Sequence, residues 1–366
     1  MVGLNCIKKN VTSSILLDVQ SAQYDVVLVN TLLLSMNPST TAFLSCDWGT
    51  SAFRLRLVER ETLKILAETH SKEGNAATAQ LWQQAGQPPG QRVAFYRAIL
   101  QKQLAKLETM VETSLDGVPV VISGMASSTI GMLELPYLPL PFATDGSDLL
   151  TRTIPAEPDF KHSILLISGV KSADDVMRGE EVQLVGCQFA NTAAEQLFLH
   201  PGTHAKHVLV QNGRAIALKT YMTGEIFSLL STKGILAASV EEGGRLDEGR
   251  NHDWFEKGVQ HSQRANLLHN AFLVRTNDLF KKTSKRENYF FLSGLLIGSE
   301  CHDLLTHRPA SITLAGEPAL LALYGAALQK LGIADRCPVR TKTAEEITLI
   351  GQGAVLQQQP STSGKT

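Results

Sequence analysis

Three short segments set glycine beside charged side chains, two of them with hydroxyls as well, in the way that phosphate chemistry requires. The first is Asp47-Trp48-Gly49-Thr50-Ser51. Phosphate oxygens are met by backbone N–H groups, which a glycine lets come close, and by hydroxyl donors. A carboxylate repels phosphate but can hold Mg²⁺, often through water. Gly49, Thr50 and Ser51 are therefore candidate phosphate contacts, and Asp47 a candidate metal ligand and catalytic residue. The second segment, Pro201-Gly202-Thr203-His204-Ala205-Lys206, offers the same function from Gly202, Thr203 and the Lys206 ammonium. The third, Met177-Arg178-Gly179-Glu180-Glu181, sets two carboxylates at the start of a helix, where the helix dipole favours negative charge. Glu180 there can act as a general base towards a substrate hydroxyl, and Arg178 can pair with a substrate carboxylate or phosphate. Each segment also has a plainer reading: an Asp-x-Gly turn, a hairpin corner, a helix cap.

A fourth segment, Leu314-Ala315-Gly316-Glu317, ends a strand and opens a helix, so that Gly316 and the helix N-terminus fit against a nucleotide. His200, His204 and His207 offer an alternative, a metal site, but the i,i+4 spacing works on a helix and Pro201-Gly202 argues against one. The terminal Ser363-Gly364-Lys365-Thr366 mimics a P-loop without its first glycine, strand or helix, and Gly351-Gln352-Gly353 lacks the third glycine of a dinucleotide fingerprint. No Gly-x-Ser-x-Gly elbow for a serine hydrolase occurs.

The elements that must hold these segments are legible in outline. Phe43–Asp47 is a short apolar strand ending on a carboxylate, and Phe53, Leu55 and Leu57 alternate as a strand after the turn. Lys64–Thr69 can supply a third strand. An amphipathic helix over about 92–113 leads to a buried strand at Val118–Ile122, a Pro-rich loop over 135–142, a strand at Ser163–Ser168 and a helix at Glu180–Gln188. The second half repeats the plan. A strand at Gln196–His200 meets the second turn, and Asn212-Gly213 marks a tight hairpin between Lys206–Gln211 and Ala215–Thr220. Helices follow, then a strand at Ser311–Ala315 and helices over 318–331 and 344–356. The chain reads as α/β and two-lobed, with a cleft between lobes spanning 41–190 and 191–356. Residues 1–40 and 357–366 read as a poorly ordered extension and a disordered tail.

Composition narrows the classes. The 366 residues are 43% hydrophobic and 19% charged, with a formal net charge of -1, which suits a soluble protein and argues against a nucleic-acid binder. The five cysteines are scattered without a CxxC, as expected of reduced thiols in a cytoplasm. No apolar run is long enough for a membrane span, and no secretory signal is evident.

The ordered set Asp47–Ser51, Ser123-Gly124-Met125, Met177–Glu181, Pro201–Lys206, Met222-Thr223-Gly224-Glu225 and Phe291–Gly298 closely resembles the 2-dehydro-3-deoxygalactonokinase family, over about 43–356. The resemblance implies an actin-like ATPase (ribonuclease H-like) fold and an ATP- and Mg²⁺-dependent kinase. Its acceptor is the 6-hydroxyl of 2-dehydro-3-deoxy-D-galactonate, in galactonate breakdown. It implies phosphate roles for Gly49, Thr50, Ser51, Gly202, Thr203 and Lys206. It also implies a nucleoside role for Gly316, although Glu317 replaces the second glycine expected there. Glu180 falls at the catalytic carboxylate of related kinases, with a register slip to Glu181 as the alternative. Gly74, Met125, Ser127 and Ser128 fall in stretches expected to face the sugar acid. Two other readings stay open: a phosphatase of the same superfamily acting on polyphosphate or guanosine phosphates, and a non-catalytic sugar-acid-binding module. The stereochemistry of the acid is not readable, and a homodimer is compatible with all of this.

Overall fold

The computed structural model describes residues 38–264 and 266–359, so most of the expected extension and tail lie outside the described residues. The chain forms two compact units. The first extends to Pro136 and takes in Leu150–Ser168; the second is made of Tyr137–Leu149 and the chain from Gly169 onward.

The first unit begins with β1 (Ala42–Trp48), β2 (Phe53–Glu59) and β3 (Ile65–Ser71), then α1 (Asn75–Ala85), α2 (Arg92–Val111) and β4 (Val120–Gly124). The short strands β5 (Leu138–Pro139) and β6 (Phe142–Ala143) belong to the second unit, and β7 (Thr151–Ile154) and β8 (Ile164–Ile167) complete the first. Its sheet has the order β3-β2-β1-β4-β8-β7. β1, β2 and β3 form an antiparallel meander, while β4 and β8 run parallel to β1. Leu44, Cys46 and Trp48 point to one face of β1, as the two-residue strand period requires. They join Tyr96, Leu100, Leu104 and Leu107, which recur at helical spacing along α2.

The second unit adds β9 (Val170–Lys171), β10 (Val176–Met177), α3 (Glu180–Gly186), β11 (Gln196–His200), β12 (Ala205–Gln211) and β13 (Arg214–Tyr221). Then come α4 (Thr223–Thr232), α5 (Asn251–Ser262), α6 (Leu267–Leu279), α7 (Lys285–Glu300), β14 (Ser311–Gly316), α8 (Pro318–Lys330), β15 (Val339–Thr343) and α9 (Ala344–Gln357). Its main sheet has the order β15-β14-β11-β12-β13-β6. Again the first three strands form an antiparallel meander, and the next two run parallel to the first. Asn212 and Gly213 both take positive φ, as a type I′ hairpin needs. Both units thus share one order, third-second-first-fourth-fifth, which is the ribonuclease H-like plan of actin-like ATPases.

Several elements lie outside those expected from the sequence, among them two edge strands and a helix. The edge strands β7 and β15 carry partly exposed, mixed-polarity residues, TRTI and VRTKT, with no clean alternation. The helix α1 buries only Asn75, Thr78 and Ala79, so it has no apolar stripe to betray it. Among the described residues, Cys46, Cys187, Cys301 and Cys337 are buried free thiols. No described helix is long and apolar enough to cross a membrane.

Candidate active site

The turn after β1 is built on the start of α1. Gly49 N donates to Ala52 O, which closes the turn. Asn75 N donates to Gly49 O and Ala76 N to Thr50 O, so two of the helix's free N–H groups are used on the turn's carbonyls. Asn75 is fully buried, and its side-chain amide donates to Trp48 O at 2.7 Å. Trp48 Nε1 in turn donates to Glu73 O at 3.0 Å. Gly74 is forced by this packing: a Cβ there would lie 2.4 Å from Thr50 O and 2.5 Å from the Ser51 carbonyl carbon. Gly74 thus lies against the backbone of the turn after β1. Thr50 and Ser51 are exposed, and Gly49 and Asp47 are half-buried.

Asp47 stands beside the end of β4, in register with Ser123. Gly124 has φ 93°, and a Cβ on it would lie 2.8 Å from Trp48 O and 3.6 Å from Asp47 Oδ1. The strand ends can meet only with glycine at this position. Beyond it, Met125–Ser127 form a short 3₁₀ turn. Ser128 Oγ donates to Met125 O at 2.7 Å, and both Ser127 and Ser128 are buried, while Met125 is half-exposed.

The second turn repeats the first. A Cβ on Gly224 would lie 2.5 Å from Gly202 O and 2.8 Å from Thr203 Cα, and Glu225 N donates to Thr203 O. Here the seat is the start of α4. His204 Nε2 and Glu225 Oε2 meet at 2.5 Å in solvent. Gly202 is half-buried, and nothing lies within 4 Å of where its Cβ would be, so there is room for a ligand group. Lys206 is buried, with Nζ donating to Thr220 Oγ1 at 2.9 Å. Gly316 packs against Pro201, with the ring Cδ 3.5 Å from its missing Cβ, which sets the start of α8 beside the turn.

The three histidines do not gather. His204 faces Glu225, and His207 is buried against Glu300 at 2.9 Å. His200 Nδ1 is buried with no hydrogen-bond partner among the described residues. Burial pushes His200 below the usual histidine range, partly opposed by the nearby Glu180 carboxylate.

The carboxylate pair is divided by burial. Glu181 is fully buried, and both its oxygens accept from Gly179 N, at 2.9 and 2.7 Å. Burial first, and the Glu180 charge second, push its carboxyl up to about 8. Glu180 is half-buried, with Oε2 accepting from Arg178 N at 2.9 Å. Arg178 lies over the Tyr137 ring, 4.1 Å from its centroid. Gly179, at φ 111°, makes the sharp entry to α3 that separates the two glutamates.

Beside the second turn a cavity of about 180 Å³ opens between α4, α7 and α8. Its floor is Gly202 and Gly224, and its walls include Phe227, Leu296, Leu320 and Tyr324. Tyr324 Oη donates to the buried Glu300 at 2.5 Å, which fixes that wall. A mainly apolar cavity next to a glycine turn can take a nucleobase, with its phosphates towards the turn.

Comparison with known proteins identifies the family. A family profile described as 2-keto-3-deoxy-galactonokinase matches residues 47–353. The chain belongs to the 2-keto-3-deoxy-galactonokinase family. It is similar to a probable 2-dehydro-3-deoxygalactonokinase of Rhizobium meliloti, 31% identical over 86% of this chain and 97% of that protein. It is similar also to the 2-dehydro-3-deoxygalactonokinase of Escherichia coli, 29% identical over 80% of this chain and 91% of that one. A crystal structure of a putative 2-dehydro-3-deoxygalactonokinase from Sinorhizobium meliloti superposes with a TM-score of 0.71 at 29% identity, covering 88% of this chain and 98% of that one.

As a member of this kinase family, the chain is an enzyme that uses ATP as phosphate donor. Its residues fit a nucleotide-borne metal better than a resident one. Among the described residues no group of three or more His, Cys, Asp or Glu can hold a metal ion, whereas Asp47 presents one half-buried carboxylate at a strand end. That suits Mg²⁺, which binds phosphates and keeps most of its waters. Sequence reasoning missed two parts of the site in this kinase. Asn75 carried no signal beyond Gly74-Asn75 at the head of an alanine- and glutamine-rich stretch. The cavity walls on α4, α7 and α8 read only as core helices, because one apolar face looks like another until the helices are placed.

Proposed function

We propose that this chain phosphorylates the 6-hydroxyl of 2-dehydro-3-deoxy-D-galactonate at the expense of ATP, in the breakdown of galactonate. The carrying observation is the family match over residues 47–353, which takes in both glycine turns and the carboxylate pair. Gly49, Thr50 and Ser51 in the first unit, and Gly202, Thr203 and Lys206 in the second, are assigned to the phosphates as N–H, hydroxyl and ammonium donors. Asp47 would hold Mg²⁺ through water, and the ion supplies charge neutralisation on the phosphates. Gly316 and the cavity at Gly202 receive the nucleoside.

Glu180 is assigned as the base. Its partial exposure supports this, since a base must reach substrate, while the buried and protonation-prone Glu181 is committed to Gly179 N. Glu180 orients the primary hydroxyl and takes its proton as the oxygen bonds to the γ-phosphorus and the bond to ADP breaks. Arg178, held over Tyr137, takes the carboxylate of the acid. Met125 borders the acceptor, with Ser127, Ser128 and Gly74 shaping its surroundings from behind. A cytoplasmic location fits the buried reduced thiols.

The test is a coupled ADP-release assay over a panel of 2-keto-3-deoxy sugar acids, with product phosphate located by NMR. ADP formation that requires the galactonate-derived acid and yields its 6-phosphate is expected. Phosphate release without any acceptor would refute the assignment.

A further inference from the structure

Lys206 is connected to the segment carrying Arg178 and Glu180 through one threonine. Lys206 is 5% exposed, and its Nζ donates to Thr220 Oγ1 at 2.9 Å. Thr220 Oγ1 donates in turn to Asp175 Oδ1 at 2.6 Å, and Thr220 N donates to Asp175 Oδ2 at 2.6 Å. Asp175 therefore grips one residue through both its backbone and its hydroxyl. That grip fixes which lone pair of Oγ1 faces the ammonium. Asp175 lies three positions before Arg178, in the tight loop between β9 and β10, closed by the Lys171–Val176 pairing and by Ser172 N donating to Asp175 O. Thr220 is on β13, opposite Lys206 on β12.

The chemistry favours a positioning role. An ammonium has three donors; one is spent on Thr220, and two remain for phosphate oxygens. A buried lysine is costly unless a counter-charge lies near, and Asp175 supplies one through the hydroxyl rather than by direct capture. Direct pairing would compete with phosphate. A hydroxyl bridge keeps the ammonium in place and leaves it able to bind.

We propose that Asp175 and Thr220 are positioning residues for phosphoryl transfer, holding the Lys206 ammonium at the second turn and tying its place to the Arg178–Glu180 segment. This rests on Lys206 serving the nucleotide phosphates, as read above. Misplacing a group by about 1 Å can cost about 100-fold in rate.

The experiment is steady-state kinetics on the full chain with Thr220→Val, Thr220→Ser, Asp175→Asn, Lys206→Met and the Thr220→Val/Lys206→Met double variant, each with a thermal melt. Thr220→Val should lower kcat/KM for ATP by about 10- to 100-fold while moving the KM for the sugar acid by less than about threefold. Thr220→Ser, which keeps the hydroxyl, should stay within about threefold of wild type, and Asp175→Asn should fall between. The double variant should be no slower than Lys206→Met alone, because Thr220 acts through the lysine. A Thr220→Val that melts earlier yet turns over normally overturns the proposal, as does a double variant in which the two losses multiply. If Lys206→Met itself keeps wild-type ATP kinetics, the phosphate role of Lys206 fails first and the positioning proposal with it.

Discussion

In the first unit the turn after β1 leans on Gly74 and the head of α1; in the second, the turn after β11 leans on Gly224 and the head of α4. Each glycine lets a helix N-terminus press against a turn, and the helix donates to the turn's carbonyls, with two N–H groups in the first case and one in the second. The finish differs. The first turn is locked from within by the buried Asn75 amide and starts from a carboxylate, Asp47. The second is flanked by the solvent-exposed His204–Glu225 pair and ends on an ammonium, Lys206. One fold unit, used twice, has acquired opposite charges: one suited to a cation on the phosphates, the other to the phosphates themselves.

Removing either of these opposite charges gives the largest expected effects. Asp47→Ala should cost about 1,000-fold or more in kcat with an unchanged melt, and Lys206→Met about 100-fold, mainly in kcat/KM for ATP. Added Mg²⁺ should shift the ATP dependence of neither variant back to wild type. Equal losses from both, in the same kinetic constant, would erase the division of labour between the turns.

The shared seats come next. Gly74→Ala and Gly224→Ala each drive a Cβ into backbone, and overpacking of this kind costs about 1–3 kcal/mol. Both should melt earlier and lose most activity. Gly202→Ala has open space, so calorimetry should find its melt unchanged while its KM for ATP rises. A destabilised Gly202→Ala would mean that the turn is not free on its ligand side.

The different finishes predict a smaller contrast. Asn75→Ala leaves the buried Trp48 carbonyl without its donor and should cost about 1–3 kcal/mol by urea denaturation. His204→Ala removes a partly exposed pair, for which about 1 kcal/mol or less is expected.

The smallest effect on turnover is expected at Glu181, whose loss shows in stability instead. Its folded carboxyl titrates near 8 against an ordinary 4.5, so the folded state holds the proton more tightly than the unfolded one. That contribution is complete below 4.5 and is lost as pH rises through about 8. Glu181→Gln should therefore flatten the fall in melting temperature across this window and leave kcat within about threefold, whereas Glu180→Gln should cost about 100-fold or more in kcat. A Glu181→Gln that is inactive while Glu180→Gln works would exchange the two roles.

The strands that carry the turns were legible because β1 and β11 are short apolar runs, buried on both faces, and β2 sets Phe53, Leu55 and Leu57 at every second position. The type I′ corner was legible because Asn212-Gly213 tolerates positive φ twice. What could not be read was what supports the turns. α1 is held by a glycine contact and a buried amide rather than by an apolar stripe, and periodicity is blind to both. The proximity of Thr220 to Asp175 is likewise a product of sheet register, which one sequence does not print. Between Glu180 and Glu181 the choice turned on burial, set by the 111° φ of Gly179, and a glycine letter does not announce its dihedral.

Gly74 and Gly224 also bear on how such chains are recognised. Each follows its turn glycine at nearly the same interval, Gly49 to Gly74 and Gly202 to Gly224. A lone Asp-x-Gly carries little information, since chance supplies it often. Two turn glycines, each with a second glycine a strand pair later, form a spaced signature that chance supplies rarely. That spacing is imposed by the length of two strands and their corner, so it should persist after the turn residues themselves have drifted beyond recognition.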